Sequence, residues 1–104
     1  MPLTRDFKAT IQARAARDPE FRAALYAEAL DALLEGDIDT AKSMLRDYVN
    51  ATIGFERLEA LTGTPRKSLM RMLSVQGNPR LESLGPILRA LNGEADVKPQ
   101  VRVA

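Results

Sequence analysis

Four cationic side chains without a neighbouring acid stand out in the 104-residue sequence. Arg66, Lys67 and Arg71 fall within TGTPRKSLMRML, Arg80 follows shortly after, and no Asp or Glu occurs in residues 64–81. A guanidinium group can donate two parallel hydrogen bonds to O6 and N7 of guanine, and a lysine ammonium can contact a base or a phosphate. The segment therefore suits an anionic, acceptor-rich partner, although a run of like charges also occurs on plain solvated faces.

The charges are unevenly divided between the two halves of the chain. The formal net charge is +1, but residues 1–52 carry seven cations against nine acids, and residues 53–104 carry eight cations against five acids. The basic excess belongs to the C-terminal half. The acidic N-terminal half is a candidate docking face for a basic partner, by charge complementarity alone.

Catalytic and metal-binding chemistry has few suitable residues here. The chain has no cysteine and no histidine, which removes disulfides, the commonest metal ligands and His-dependent catalytic pairs. Lys67 and Ser68 are adjacent on a predicted helix and diverge by about 100°, so the lysine is not placed to activate the serine. Asp37 and Asp39 suggest the start of a calcium loop, but the required glycine and final acid are missing. We expect no enzyme, no metal and no cofactor.

Composition indicates one helical domain. The length suits a single compact unit, and alanine and aliphatic residues dominate over the three phenylalanines and two tyrosines, which favours helices packed on helices. No stretch approaches the roughly 18 uncharged apolar residues of a membrane span. The N-terminal MPLTRDFK lacks the apolar region of a secretory signal. We expect a soluble cytoplasmic protein with no membrane partner.

Three amphipathic helices are predicted in residues 1–52. Thr4 can cap the first, and Asp18-Pro19 combines a capping side chain with proline at the first helical position of the second. Gly36-Asp37 should end the second helix and begin the third. The third has apolar residues three and four apart, at Ala41, Met44, Leu45, Tyr48 and Val49. These helices are expected to serve a dimer or a partner while forming one compact unit with the rest.

Two short helices joined by a tight turn are predicted in residues 53–93. The first lies in GFERLEALTG, and its inward residues are expected to be Phe55, Leu58 and Leu61. Gly63 should end it with positive φ. Thr64 is expected to cap the second helix, with Pro65 at its first position.

The second short helix should turn its cations outward. Leu69 and either Met72 or Leu73 are the expected inward residues. That leaves a set of outward or lateral residues comprising Arg66, Lys67, Met70 and Arg71. Two short helices joined by a glycine-containing turn describe a helix-turn-helix, whose second helix enters the major groove of DNA.

A last helix and a tail complete the expected all-α bundle. Turn residues Gly77-Asn78-Pro79 precede the helix, which either begins near Ser83 or bends at Pro86. Asn92-Gly93 should end it. In the predicted tail, residues 94–104, Val101 and Val103 alternate with Arg102, which is compatible with a short β-strand.

Residues 54–92, GFERLEALTGTPRKSLMRMLSVQGNPRLESLGPILRALN, resemble the lambda-repressor/Cro-type (XRE) helix-turn-helix domain. The succession of TG, KSL, MLS and GNP is most similar to HigA-like antidote (antitoxin) proteins of toxin–antitoxin modules. The segment from DPEFRAAL to DYVNATIGF also resembles the N-terminal helices of that group. The resemblance implies a sequence-specific repressor that binds operator DNA, represses its own operon and binds a RelE/HigB-type toxin.

The resemblance also implies particular DNA-binding residues. Arg66, Lys67 and Ser68 would occupy the leading turn of the recognition helix, with Met70 and Arg71 one turn later; Met70 could touch a thymine methyl. Phosphate contacts are expected from Thr64, Ser68, Asn78 and Arg80. For these four, a helix cap, a surface hydroxyl or a structural turn is the competing explanation.

Three residues depart from the family pattern. Phe55 stands where many relatives have a polar phosphate-binding residue, so one phosphate contact should be lost. Glu59 stands where a small residue lets the two helices cross closely, and we expect a small shift in the crossing. Pro65 stands where relatives often have a capping serine, a role that Thr64 can take.

Alternative functions are a general XRE-type regulator without a toxin, or a protein-interaction module. A single recognition helix covers few base pairs, so a homodimer on a pseudo-palindromic operator is expected. Its interface lies either in the last helix with residues 97–103 or in the N-terminal helices.

Overall fold

Six α-helices form the fold in the computed structural model, which describes residues 5–104 and their side chains from residue 7 onward. The helices are α1 (Arg5–Arg17), α2 (Pro19–Leu34), α3 (Ile38–Ala51), α4 (Gly54–Thr62), α5 (Arg66–Met72) and α6 (Leu81–Ala95). No strand occurs in this part of the chain. The predicted all-α bundle is confirmed. The predicted cap Thr4 lies outside the described residues.

The predicted start signals of α2 and α3 are confirmed in atomic detail. Asp18 accepts hydrogen bonds from the backbone N–H groups of Glu20 and Phe21 at 3.1 and 3.2 Å, and Pro19 is the first helical residue. Asp37 accepts a longer bond from the N–H of Thr40 at 3.4 Å. These side chains satisfy N–H groups that have no partner inside the helix.

The two halves of the chain share one hydrophobic core. α2 packs on α3, α1 lies against both, and α4 contacts α3, α5 and α6. The core draws residues from all six helices, and its largest fully buried side chains are Leu45, Val49, Leu58, Leu69, Leu73, Ile87 and Leu91. Because α3 and α5 contribute to the same cluster, the N-terminal helices support the basic segment directly.

Several local predictions were wrong. Leu61 is 40% exposed, because steps of three residues turn it about 120° away from Phe55. The last helix begins at Leu81, so the alternative of a start near Ser83 was wrong and Pro86 falls in the second turn. The other alternative, a bend at Pro86, stays a prediction. The helix also continues past Gly93 to Ala95, and Asp96 ends it with a left-handed φ of 52°.

The predicted C-terminal strand is absent from the described chain. Residues 97–104, hereafter the C-terminal tail, have no regular secondary structure. A β-strand needs a neighbour for its hydrogen bonds, and an all-helical chain provides none.

No helix within residues 5–104 has the length and apolar character needed to cross a membrane.

Candidate nucleic-acid interface

The turn between α4 and α5 is built from a glycine and two threonines. Gly63 has φ of 77°, in the left-handed region that glycine adopts without strain, and its N–H donates to the Glu59 carbonyl at 2.8 Å. The Thr62 hydroxyl donates to the Leu58 carbonyl at 2.8 Å and accepts from the Thr64 N–H at 3.2 Å. The predicted role of Gly63 is confirmed.

The predicted cap of α5 was wrong. The helix begins at Arg66, Pro65 is the capping residue, and no side chain donates or accepts a capping bond there. Thr64 lies one residue before the cap position, and its N–H donates to the Thr62 hydroxyl. Its side chain makes no capping bond, and the residue is only partly exposed.

α5 buries its leucines and exposes its cations. Leu69 and Leu73 are 1% and 0% exposed, whereas Met70 is 49% exposed. Arg66, Lys67 and Arg71 are all exposed, and Ser68 is partly buried. Of the two candidates for the second inward residue, Leu73 is fully buried and Met72 lies beside the core. One side of α5 thus presents the predicted set of three cations and a methionine.

Arg66 is held by carboxylates of α4. Its Nε lies 2.9 Å from Glu59 Oε1, and its Nη1 lies 3.8 Å from Glu56 Oε2. The first contact is a hydrogen bond and the second is too long to be one. The Arg66 side chain remains 52% exposed, so its terminal amino groups stay accessible to a further acceptor.

Lys67 and Arg71 differ from Arg66 because they form no ion pair within residues 5–104. No acid occurs on α5 itself. Their charges are therefore uncompensated at close range, which leaves them available to an anionic partner.

Two cations of α3, which were not among the predicted site residues, bind the C-cap of α5 and the loop that follows it. Lys42 is 6% exposed, and its Nζ donates to the carbonyls of Val75 and Gly77 at 3.1 and 2.6 Å. Arg46 Nη1 donates to the Leu73 carbonyl at 2.8 Å. Arg46 thus satisfies a free carbonyl at the C-terminus of α5 and places a positive charge where the helix dipole favours it. Lys42 holds the loop that follows the helix. A signal was present, since both cations lie within or beside the apolar stripe of α3, where solvated charges are not expected.

Gly77 packs tightly against the same end of α5. A Cβ added there would stand 1.9 Å from the Arg71 carbonyl oxygen and 2.6 Å from that of Met72. Only a residue without a side chain permits this approach. The loop after α5 is therefore closely held to the helix.

The remaining predicted DNA contacts lie on this loop. Asn78 is exposed. Arg80 immediately precedes α6, and its Nη1 lies 3.6 Å from Glu82 Oε1, with side chains 84% and 75% exposed. Such an exposed pair is weak and would not prevent a phosphate contact.

The predicted inward position of Phe55 is confirmed. Phe55 is 8% exposed and belongs to the core.

No cluster of three or more acidic residues that could hold a metal ion occurs in the described part of the chain.

Comparisons with known proteins give no relative. No family model matches the sequence, and neither a curated protein nor a solved structure matches it.

Proposed function

We propose that this chain is a sequence-specific DNA-binding transcriptional repressor whose α5 enters the major groove. One observation carries the proposal: a seven-residue helix buries Leu69 and Leu73 while exposing three cations and Met70, with no acid of its own. A short, rigidly supported helix after a tight glycine turn suits insertion of its N-terminal residues into the groove.

The proposed contacts divide into base recognition and phosphate binding. Arg66 and Arg71 would recognise guanines by paired hydrogen bonds, and Met70 would touch a thymine methyl. Lys67 would contact a base or a phosphate. Contacts to DNA phosphates would also come from Thr64, Ser68, Asn78 and Arg80.

Binding measurements on DNA from upstream of the chain's own coding sequence test which residues recognise bases and which bind phosphates. Arg66→Ala and Arg71→Ala should each reduce discrimination at one base position, by about 1–3 kcal/mol. Arg80→Ala should weaken binding to all sequences alike and lower the slope of log affinity against log salt by about 1. Fluorescence anisotropy over a salt series measures both quantities. If all three variants behave identically, the assignment is wrong.

We further propose that the repressor is the antitoxin of a type II toxin–antitoxin module and binds a RelE/HigB-type toxin. The sequence resemblance supports this, together with exposed acids on and just after α2, at Glu28, Asp31, Glu35 and Asp37. An acidic face complements a basic RNA-cleaving partner.

Co-purification with the product of the neighbouring reading frame tests the toxin partner. Charge reversal is preferable to deletion of residues 1–52, because Tyr48 and Val49 belong to the core that α4 to α6 share. Glu28→Lys with Glu35→Lys should release the toxin, whereas the control Glu82→Lys, in the other half, should retain it. A neighbouring product that binds neither form, or binds both equally, would leave a general regulator.

A further inference from the structure

A carboxylate lies beside the first residue of the helix that we propose enters DNA. Glu59, on α4, accepts a hydrogen bond from the Nε of Arg66 at 2.9 Å, and Arg66 is the residue with which α5 begins. The phosphates of DNA repel a negative charge. A surface that only bound phosphate would therefore not be expected to carry Glu59 at this point.

Both side chains of this pair keep atoms for a further partner. No hydrogen bond within the described residues engages Glu59 Oε2 or either terminal amino group of Arg66. Glu56 Oε2 lies 3.8 Å from Arg66 Nη1, beyond hydrogen-bond distance. The Arg66 and Glu59 side chains are 52% and 36% exposed. The pair thus presents two amino groups and, next to them, one carboxylate oxygen.

This combination suits the edge of a base pair better than a phosphate. A phosphate offers only acceptors, so the Glu59 carboxylate, 2.9 Å from the guanidinium, would repel it. The major-groove edge of a base pair carries acceptors and donors side by side. Lys67 forms no ion pair among the described residues and has no such obstacle to a phosphate contact.

The order of the three groups matches one kind of base pair. In the major groove a G·C pair presents two acceptors, N7 and O6 of guanine, followed by one donor, the N4 amino group of cytosine. An A·T pair presents an acceptor, a donor and an acceptor. Two amino groups followed by a carboxylate complement the G·C order. On an A·T pair the same groups would set a guanidinium N–H against the adenine amino group.

We propose that Arg66 and Glu59 together recognise both strands of one G·C pair: Arg66 donates to N7 and O6 of guanine, and Glu59 Oε2 accepts from N4 of the paired cytosine. O6 and N4 are hydrogen-bonded to each other, as are Arg66 Nε and Glu59 Oε1. The contacts between protein and base therefore close a ring of hydrogen bonds. This inference rests on the proposed function, because it requires α5 to lie in the major groove.

Methylation of cytosine N4 tests the contact directly. In a base-paired cytosine the methyl group replaces the N–H that faces the major groove, which is the donor that Glu59 would use. The probe is a duplex that the full chain selects from a random library, modified at the cytosine opposite the guanine where Arg66→Ala loses discrimination. Wild type should bind the N4-methylated duplex about tenfold more weakly than the unmodified one.

Two acid variants show whether Glu59 makes this contact. In Glu59→Ala the difference between the two duplexes should vanish. In Glu56→Ala it should stay as large as in wild type, because Glu56 makes no hydrogen bond to Arg66. Each comparison uses one protein on two duplexes, so the change in protein charge cancels. Alanine is a strong helix former, and circular dichroism should show unchanged helix content for both variants.

The outcomes separate this inference from the proposed function. Specific binding that is indifferent to N4 methylation would overturn the inference alone, and so would an equal effect of methylation on wild type and Glu59→Ala. A carboxylate that merely positions Arg66 predicts the first of these results, because it makes no contact with cytosine. A chain that prefers no duplex over random sequence would overturn the proposed function and this inference with it.

Discussion

At the residue scale, a carboxylate of the preceding helix holds the side chain of Arg66. Glu59 occupies only the Nε of the guanidinium, at 2.9 Å. Among the described residues no hydrogen bond occupies its two terminal amino groups, which leaves them free for the bidentate contact to guanine that we propose. We infer that Glu59 positions Arg66, which gives a physical reason for a carboxylate at this place in α4.

Substituting the two acids of α4 separates positioning from charge. Glu59→Gln and Glu56→Gln each remove one negative charge near the DNA, so both should strengthen non-specific binding. Only Glu59→Gln should also reduce discrimination at the guanine that Arg66 is proposed to contact, because Glu56 lies 3.8 Å from the guanidinium and makes no hydrogen bond to it. The measurement is the ratio of dissociation constants for the operator and for a duplex with that base replaced. Equal ratios for the two variants would refute the positioning role.

At the scale of elements, α5 is short and depends on its neighbours. Helices of so few residues are unstable alone, and α5 has no side-chain cap at its start. Its support comes from its buried leucines, from Arg46 at its C-cap, and from Lys42, which holds the loop that follows. We infer that α3 supplies the rigidity of α5, the helix that we propose contacts DNA.

Substitutions of two lysines, one buried and one exposed, test this inference. Lys42→Met should leave the Val75 and Gly77 carbonyls without their donor and lower the free energy of unfolding by about 1–3 kcal/mol. It should also weaken DNA binding. Lys67→Met should weaken DNA binding while leaving stability unchanged within about 0.5 kcal/mol, since Lys67 is exposed and forms no ion pair among the described residues. Chemical denaturation and anisotropy on both variants check this, and a Lys67→Met variant as unstable as Lys42→Met would contradict it.

The sequence predicted those elements whose signals are local. Asp18-Pro19 and Gly63 act through their own backbone and nearest neighbours, and the structure places them as expected. The wrong predictions needed tertiary information. The cap position of α5 falls on Pro65 and not on Thr64, and the roles of Lys42 and Arg46 depend on carbonyls about 30 residues away in sequence. Pairing of α4 acids with Arg66 was likewise not visible in a one-dimensional pattern.

At the scale of the whole molecule, a tyrosine pair connects α2, α3 and α6. Tyr26 stacks on Tyr48 and its hydroxyl donates to Asn92 Oδ1. Burial, with a contribution from Tyr48, raises the pKa of Tyr26 to about 12. Burial also raises the pKa of Tyr48, against an opposing effect of Arg22. Both tyrosines are thus neutral in the folded chain at pH values where they would ionise when unfolded.

Stability should therefore decline in alkali. Well below pH 10 both tyrosines are neutral in the folded and unfolded states, so their contribution to the free energy of unfolding is fully present and does not change with pH. Between pH 10 and about 12 the unfolded chain releases protons that folded Tyr26 retains, so unfolding becomes easier by at most about 1.4 kcal/mol per pH unit for this residue. Chemical denaturation across this pH range should show that the free energy of unfolding declines less steeply with pH for Tyr26→Phe than for wild type. Parallel curves for the two chains would contradict the assignment.

The central claim, that α5 enters the major groove, is most directly tested by methylation of guanine N7, an atom that lies in that groove. In an interference experiment on DNA from upstream of the coding sequence, methylation should block binding at two clusters of guanines about 10 base pairs apart. Binding that is indifferent to N7 methylation, or that shows no preference for this DNA over random sequence, would contradict it.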